Sequence, residues 1–227
     1  MRFLYSSVLP AINQYVTLPH DLENLINRSI EFFNFCDTAL LLGLNGHHTA
    51  FLDCVMDIVS MRLVWAPLYI ILLTMVWRRY GWRGAAVCLL TTIMAVTLVD
   101  QVCGSVLRGM VGRMRPSNPD NPLSAWIQIV DGYRGGKYGF PSCHAANTAV
   151  VAVYLSLWLR SKALFAALCA WCLLVSLSRV YLGVHYPSDI LAGMTIGGGV
   201  AYGFYKLLHL CKPVYPAFLL RIMRLKW

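Results

Sequence analysis

Uncharged, apolar stretches dominate the chain. They run over residues 63–77, 84–107 (interrupted only by Asp100), 145–159, 163–178 and 190–205, with a weaker one from about 30 to 44 that contains Glu31 and Asp37. A membrane-spanning helix needs about 20 residues, with 17–25 tolerated, so several stretches reach that length only with their polar flanks. The pattern predicts an all-α, polytopic membrane protein of six spanning helices, the first being the least marked. It forms one domain over residues 1–227, with a core at 45–210 and a basic tail at 211–227.

The polar positions between these stretches give an orientation. Arg78, Arg79 and Arg83 lie between the second and third. Arg160 and Lys162 separate the fourth and fifth, and Lys206, Lys212, Arg221, Arg224 and Lys226 follow the sixth. If six spans alternate, all three groups fall on one side, which the positive-inside rule makes cytoplasmic. Both termini are then inside. The opposite side receives 45–61, the long segment 108–141 and the turn around 179–187. The long segment is turn-rich (Pro116-Ser117-Asn118-Pro119, then 132–139), yet it carries Arg108, Arg113, Arg115, Arg134 and Lys137 against the rule. A broken local rule often marks function.

Composition supports the membrane reading. Apolar residues make up 58% of the chain and charged residues 13%, against about a quarter charged in a soluble domain. The net charge of +9 sits in short clusters rather than in a nucleic-acid patch, so the expected partner is the bilayer and not nucleic acid. Most of the eight cysteines fall in apolar runs, where Cys acts as a small hydrophobe. Cys169 and Cys172 form a C-x-x-C midway along such a run, whereas a redox pair favours an exposed helix start. Met1–Leu9 carries one charge and its apolar patch ends at Pro10, so no cleavable signal is expected. There is no G-x-x-x-x-G-K-[ST] for nucleotide phosphates, and Gly193 with Gly197, Gly198 and Gly199 reads as close helix packing.

Three segments assigned to the outer side hold the reactive residue types: Arg108 to Pro116, Pro141-Ser142-Cys143-His144, and Ser178 to Asp189. A phosphoryl group in transfer spreads negative charge over its equatorial oxygens, so its catalyst mostly positions and neutralises. Arginine's planar fork matches those oxygens, and Arg108, Arg115 and Arg179 supply three. Ser142 reads as an N-cap with His144 in the first helical turn, and Pro187 suits the first position of the last helix. Two helix N-termini then point free N–H groups at one anion. Asp189 falls within reach of His185. A carboxylate on one ring nitrogen fixes the tautomer and leaves the other free to attack phosphorus, while His144 protonates the leaving oxygen.

These segments resemble the type 2 phosphatidic acid phosphatase signature, K-x6-R-P, P-S-G-H and S-R-x5-H-x3-D, in order and spacing, with looser similarity from Asn45 to Gly193. The resemblance implies a six-helix bundle with an extracytoplasmic site. Arg108, Arg115 and Arg179 would bind phosphate with support from Ser142, and His144 would be the acid. His185 would form a phospho-histidine that water hydrolyses, oriented by Asp189. The resemblance implies no metal and no cofactor. Arg113, Arg134 and Lys137 are candidates for head-group contacts. Two positions depart from the signature: Arg108 stands where Lys is usual, and Cys143 replaces Gly, which puts close backbone approach there in doubt.

Other features have simpler readings. His47, His48, Asp53 and Asp57 lack a zinc-site spacing and read as interfacial loop residues. Asp100 is an acid inside a span, either functional or paired with an arginine. The sequon Asn27-Arg28-Ser29 lies on the inner side and stays silent. The segment 218–227 reads as a membrane-surface tail, and Trp126 and Tyr133 as interfacial residues near the head group. The expected activity is hydrolysis of a lipid phosphate or pyrophosphate at the outer face of a bacterial cytoplasmic membrane. Polyprenyl pyrophosphate, phosphatidylglycerol phosphate, phosphatidate and lipid A phosphates are all candidate substrates. The alternatives are a phosphotransferase using the same phospho-histidine and a non-catalytic binder or transporter of anionic lipids. Haloperoxidases that share the motif set are soluble, and the spans argue against them.

Overall fold

The computed structural model describes residues 20–210, so the tail at 211–227 and Met1–Leu9 fall outside the described residues. Among the described residues the chain is all-helical, with one isolated antiparallel bridge between Met114 and Tyr138 as its β feature. The helices are α1 (His20–Asn45), α2 (Ala50–Ser60), α3 (Ala66–Asp100), α4 (Arg108–Val111), α5 (Cys143–Leu159), α6 (Lys162–Tyr181) and α7 (Pro187–Leu210). A 3-10 turn, Leu63–Trp65, leads into α3, and a π-helical run, Gln101–Leu107, joins α3 to α4. Each apolar stretch of the sequence lies on helical chain. The continuous run Leu63–Val111 and helix α6 are long and apolar enough to cross a membrane, with mean hydropathies of 1.9 and 2.0.

Two local expectations need correction. No basic loop separates the second and third apolar stretches. Helix α3 runs through them and is redirected by the single residue Gly81, at φ 76° and ψ 174°. Glycine has no Cβ to forbid that conformation, so Arg78, Arg79 and Arg83 all remain helical. The expected loop 45–61 also contains a helix, α2, whose N-cap Thr49 accepts the Leu52 N–H at 3.2 Å.

Helix α5 is the centre of the bundle. Its buried positions, among them Ala145, Ala146, Val150, Tyr154 and Leu155, run right round it, and it packs most closely on α7. A Cβ at Gly193 would come within 2.4 Å of the Ser142 carbonyl oxygen, and one at Gly197 within 2.1 Å of the Ala146 carbonyl oxygen. Only glycine lets the two backbones approach so closely.

Hydrogen bonds fix which ends lie together. Arg79 Nη1 donates to the Leu159 carbonyl and the Tyr80 hydroxyl to the Trp158 carbonyl, both at 2.6 Å. The Gly81 break therefore lies at the C-terminal end of α5. At the opposite end the Ser142 N–H donates to the Asp189 carbonyl at 2.9 Å, which ties the start of α5 to the first turn of α7. Large apolar side chains cover the outside: Phe32, Leu90, Met94 and Leu191 are each about 60–70% exposed. Such a surface is soluble only in an apolar medium.

Candidate active site

The end of the bundle where α5 and α7 begin collects the reactive side chains. Helix α6 delivers Arg179 in its last turn, after which Gly183, at φ +69°, reverses the chain. His185 follows, 1% exposed, and Asp189 lies fully buried in the first turn of α7. Their contact is Nδ1 to Oδ2 at 3.3 Å, and the same oxygen accepts the Tyr186 N–H at 3.0 Å. On the other side of the ring, Nε2 of His185 faces Arg115 Nη1 at 3.2 Å. An arginine only donates, so Nε2 is the acceptor and Nδ1 carries the proton towards Asp189. This tautomer puts the ring's lone pair on Nε2, the nitrogen that faces Arg115.

Arg115 is itself held in place. Its Nε donates to the Tyr138 carbonyl at 3.1 Å and its Nη1 to the Val184 carbonyl at 3.2 Å. The Arg115 N–H donates to Lys137 and the Gly139 N–H to the Arg113 carbonyl, so 113–115 and 137–139 lie side by side. Arg108 leaves the π-helical run and donates through Nη2 to the Pro141 carbonyl at 3.3 Å and to the Cys143 sulfur at 3.2 Å. Arg179 donates through Nη1 to Ser60 and through Nη2 to the Tyr133 hydroxyl at 3.2 Å. The Nε atoms of Arg108 and Arg179 are buried and have no partner among the described residues. Leaving a charged donor buried and unpaired is costly, and a bound anion is the kind of partner each of them lacks. Ser142 caps α5 by accepting the Ala145 N–H at 3.5 Å, so free N–H groups of the α5 start point to the same side.

The clustering of cations shows in the acid–base behaviour. Burial and then the neighbouring charges of Arg108 and Arg179 bring Arg115 down to about 10. Burial is the main reason His185 drops to about 4, with Asp189 opposing the drop. Burial works against the charged form of Asp189, but its hydrogen bond to His185 and the charge of Arg113 hold the carboxyl below its ordinary range. His144, just before the apolar run 145–159, falls to about 3 through burial and the charges of Arg179 and Arg62. The pair is therefore a neutral imidazole against an ionised carboxylate, with a second neutral imidazole nearby.

Arg108, Arg115, Ser142, His144, Arg179, His185 and Asp189 are thus brought to one end of the bundle. The three candidate head-group residues are not all there. Arg113 turns inward: it donates to Asp189 Oδ1 at 2.8 Å and Ser188 Oγ at 2.6 Å, ion-pairs with Asp37, and lies over the Tyr186 ring. Its guanidinium is therefore committed to carboxylates rather than to a head group. Arg134 is an exposed loop residue that donates to the Ser117 carbonyl at 2.8 Å, and Lys137 makes an exposed ion pair with Asp120 at 3.3 Å.

Several supporting residues escaped the sequence reading. Asp37 of α1 accepts the Ser188 N–H at 2.8 Å and the Ser188 hydroxyl at 2.6 Å, so a side chain from another helix caps α7. Ser60 holds Arg179 together with Tyr133, which the sequence placed near the head group without this contact. The available signal for Asp37 was an acid inside an apolar stretch, a feature that is rarely neutral in a membrane protein. Asp100 pairs with the side-chain amide of Asn147 at 2.8 Å rather than with an arginine. His48 is bonded to Asp53 at 2.7 Å and stacked on Tyr181, whose hydroxyl also donates to Asp53, so this group fastens α2 to the end of α6.

Residues 85–212, which include every motif position above, match the sequence model of the PAP2 superfamily. The chain belongs to this superfamily. It is 41% identical over 180 residues to a lipid A 4'-phosphatase of Bacteroides thetaiotaomicron, covering 79% of this chain and 80% of that protein. A lipid A 4'-phosphatase of Porphyromonas gingivalis is 30% identical over 178 residues, covering 78% and 75%. Among solved structures, a transmembrane PAP2-type phosphatidylglycerolphosphate phosphatase from Bacillus subtilis superposes with a TM-score of 0.57 at 23% identity, over 79% of this chain and 88% of that one. At that identity the likeness speaks for a shared PAP2 fold.

Proposed function

We propose that this PAP2 protein is a membrane phosphatase that removes phosphate from a lipid head group through a phospho-histidine. The observation that carries the reading is the buried His185–Asp189 pair, whose Nε2 lies 3.2 Å from the Arg115 fork, flanked by Arg108 and Arg179 with unpartnered donors. Nε2 attacks phosphorus as the bond to the lipid oxygen breaks, and that oxygen takes, by way of His144, the proton that the substrate monoanion brings in. Water then attacks the phosphorus of the N-phosphorylated ring, and His144 takes its proton and passes it to the departing phosphate. The P–N bond breaks, inorganic phosphate leaves, and His185 is neutral again. Asp189 keeps the proton at Nδ1 throughout and stabilises the ring while it is phosphorylated. The arginines neutralise the equatorial oxygens, so the cycle needs no metal.

The substrate proposed first is a phosphorylated saccharolipid, because both relatives described above are lipid A 4'-phosphatases. We further propose that six passes cross a bacterial cytoplasmic membrane: α1, the two parts of α3 on either side of Gly81, α5, α6 and α7. The basic end with Arg79 and Arg160 faces the cytoplasm with both termini, and the arginine-histidine end faces outward. The exposed Cys54 on α2 then reacts with an impermeant maleimide in cells whose cytoplasmic membrane is intact; protection there overturns the orientation.

The decisive test is phosphate release by the purified chain in detergent, with EDTA present and no hydroxyl-bearing acceptor lipid. Lipid A, polyprenyl diphosphate, phosphatidylglycerol phosphate and phosphatidate are compared. Release from at least one, with a labelled phospho-enzyme that disappears in His185→Ala, is the expected result. Turnover that survives His185→Ala, or that stops with EDTA, overturns the mechanism.

A further inference from the structure

A cleft of about 440 Å³ runs from His144, at the edge of the arginine-histidine site, along α3, α5 and α6. Its wall is largely apolar, with Tyr69, Leu73, Leu89, Val96, Val151 and Leu155 among the lining. Asp100, the last residue of α3, and Asn147 of α5 interrupt that wall. The two are joined, Asn147 Nδ2 donating to Asp100 Oδ1 at 2.8 Å. This bond leaves the Asn147 carbonyl oxygen, Oδ1, buried and without a partner among the described residues.

Both residues carry a cost in this apolar wall. A carboxylate in an apolar helix is costly, and so is a buried carbonyl without a donor. Hydrocarbon side chains would fill the same wall at no such cost. Their position relates them to the chemistry. Asn147 follows His144 by three residues on α5, so both project from one face, about 4.5 Å apart along the axis. A carboxylate only accepts hydrogen bonds, and Asn147 has given one N–H to Asp100. What the pair still offers the cleft is mainly acceptor oxygen.

We propose that Asp100 and Asn147 form an acceptor pair that reads a hydrogen-bond donor, a hydroxyl or an amide N–H, on the lipid close to the phosphate-bearing carbon. The inference rests on the phosphatase reading and narrows its substrate class. A phosphorylated lipid whose sugar or acyl chains carry hydroxyl or amide groups satisfies the pair. A polyprenyl phosphate, hydrocarbon up to its phosphate, leaves Asn147 Oδ1 unpaired. Sites built to bond a substrate donor discriminate strongly against an analogue that lacks it.

The experiment uses the full chain in one detergent with three synthetic N-acylated amino-sugar phosphates. The first has an amide-linked 3-hydroxyacyl chain, the second lacks the hydroxyl, and the third has an ester in place of the amide. A drop in kcat/KM of about ten-fold or more on the second or on the third identifies which donor is read. In Asn147→Leu that ratio moves close to one, and Asp100→Leu shrinks it as well. A ratio measured within one preparation does not depend on how much of it is folded. Equal turnover of all three by the wild type, or a ratio unchanged in Asn147→Leu, overturns the inference while leaving phosphatase activity intact. Release from none of them, nor from any lipid phosphate tested above, overturns the phosphatase reading and this inference with it.

Discussion

Arg113 holds Asp189 from the side opposite His185: its Nη1 lies 2.8 Å from Asp189 Oδ1, while Oδ2 faces the imidazole. The other end of the same guanidinium pairs with Asp37, which also caps α7 through Ser188. A chain of charges, Asp37–Arg113–Asp189, thus runs from α1 to the carboxylate that faces His185. Removing one partner from a buried pair leaves a charge uncompensated and costs about 3–5 kcal/mol. Arg113→Ala is accordingly expected to lower the melting temperature sharply as well as turnover. Asp37→Asn keeps an acceptor for the Ser188 N–H but loses the ion pair. It should lower kcat with little change in KM, and thermal melting in detergent together with steady-state kinetics checks both. Wild-type kcat in Asp37→Asn would sever the link between α1 and His185.

This chain of charges separates what the sequence makes legible from what it does not. That Arg108, Arg115, Ser142, His144, Arg179, His185 and Asp189 meet at one end of the bundle is readable because three segments carry them at short-range spacing. Asp37 is not, because its partners Arg113 and Ser188 come from segments far along the chain and meet it only by tertiary packing. In the sequence it is merely a blemish on an apolar stretch. Arg113, between Arg108 and Arg115, resembles one more outer cation until the structure shows two carboxylates facing it. The helices follow the apolar stretches, since hydrophobic length is a property of the segment itself. The Gly81 break, helix α2 and the π-helical run Gln101–Leu107 depend on local backbone choices that periodicity does not reveal.

The pH dependence follows from two downward shifts. His185 at about 4 and His144 at about 3 are both neutral in the ligand-free folded protein at ordinary pH, whereas unfolded histidine titrates near 6.5. The stability this gives is fully present above about 6.5 and is lost as pH falls through these depressed values. Melting temperatures should therefore decline between pH 6.5 and 4. In the proposed cycle His185 stays unprotonated down to about pH 4, but His144 also arrives neutral. The proton must then enter with the substrate monoanion, whose second pKa is about 6. kcat/KM is expected to fall about ten-fold per pH unit above that value, with no acid limb until below pH 5. A flat profile from pH 6 to 8 contradicts this protonation scheme.

Gly139 is a test of geometry rather than of charge. A Cβ there would sit 3.1 Å from Arg115 Cγ, 3.2 Å from Asp189 Oδ2 and 3.5 Å from His185 Nδ1. The methyl group of Gly139→Ala therefore presses on three members of the site at once. Displacements of about 1 Å in a catalytic array can cost on the order of a hundred-fold, and smaller shifts should cost about ten-fold in kcat. The melting temperature should change by only a few degrees, since no backbone atom is among those contacts. Unchanged kcat in Gly139→Ala would mean that the His185–Asp189 pair tolerates movement.

Cys143, where the family signature has glycine, is expected to be tolerable but not silent. Its sulfur accepts from Arg108 at 3.2 Å and lies against Gly104 of the π-helical run, so the side chain is spent on a phosphate-binding candidate. Cys143→Gly removes that weak acceptor while Ser142 still caps α5. It should alter kcat/KM by less than about ten-fold, in keeping with the modest strength of a thiol acceptor. Burial raises the Cys143 thiol above its ordinary range even though Arg108 lowers it. A small methylating thiol reagent should then inactivate slowly at pH 7 and faster at pH 9, because the thiolate is the reactive form. Added vanadate or phosphate should protect by occupying the arginine cluster, and Cys143→Gly should resist the reagent. Equal inactivation of Cys143→Gly would move the sensitive thiol away from Arg108.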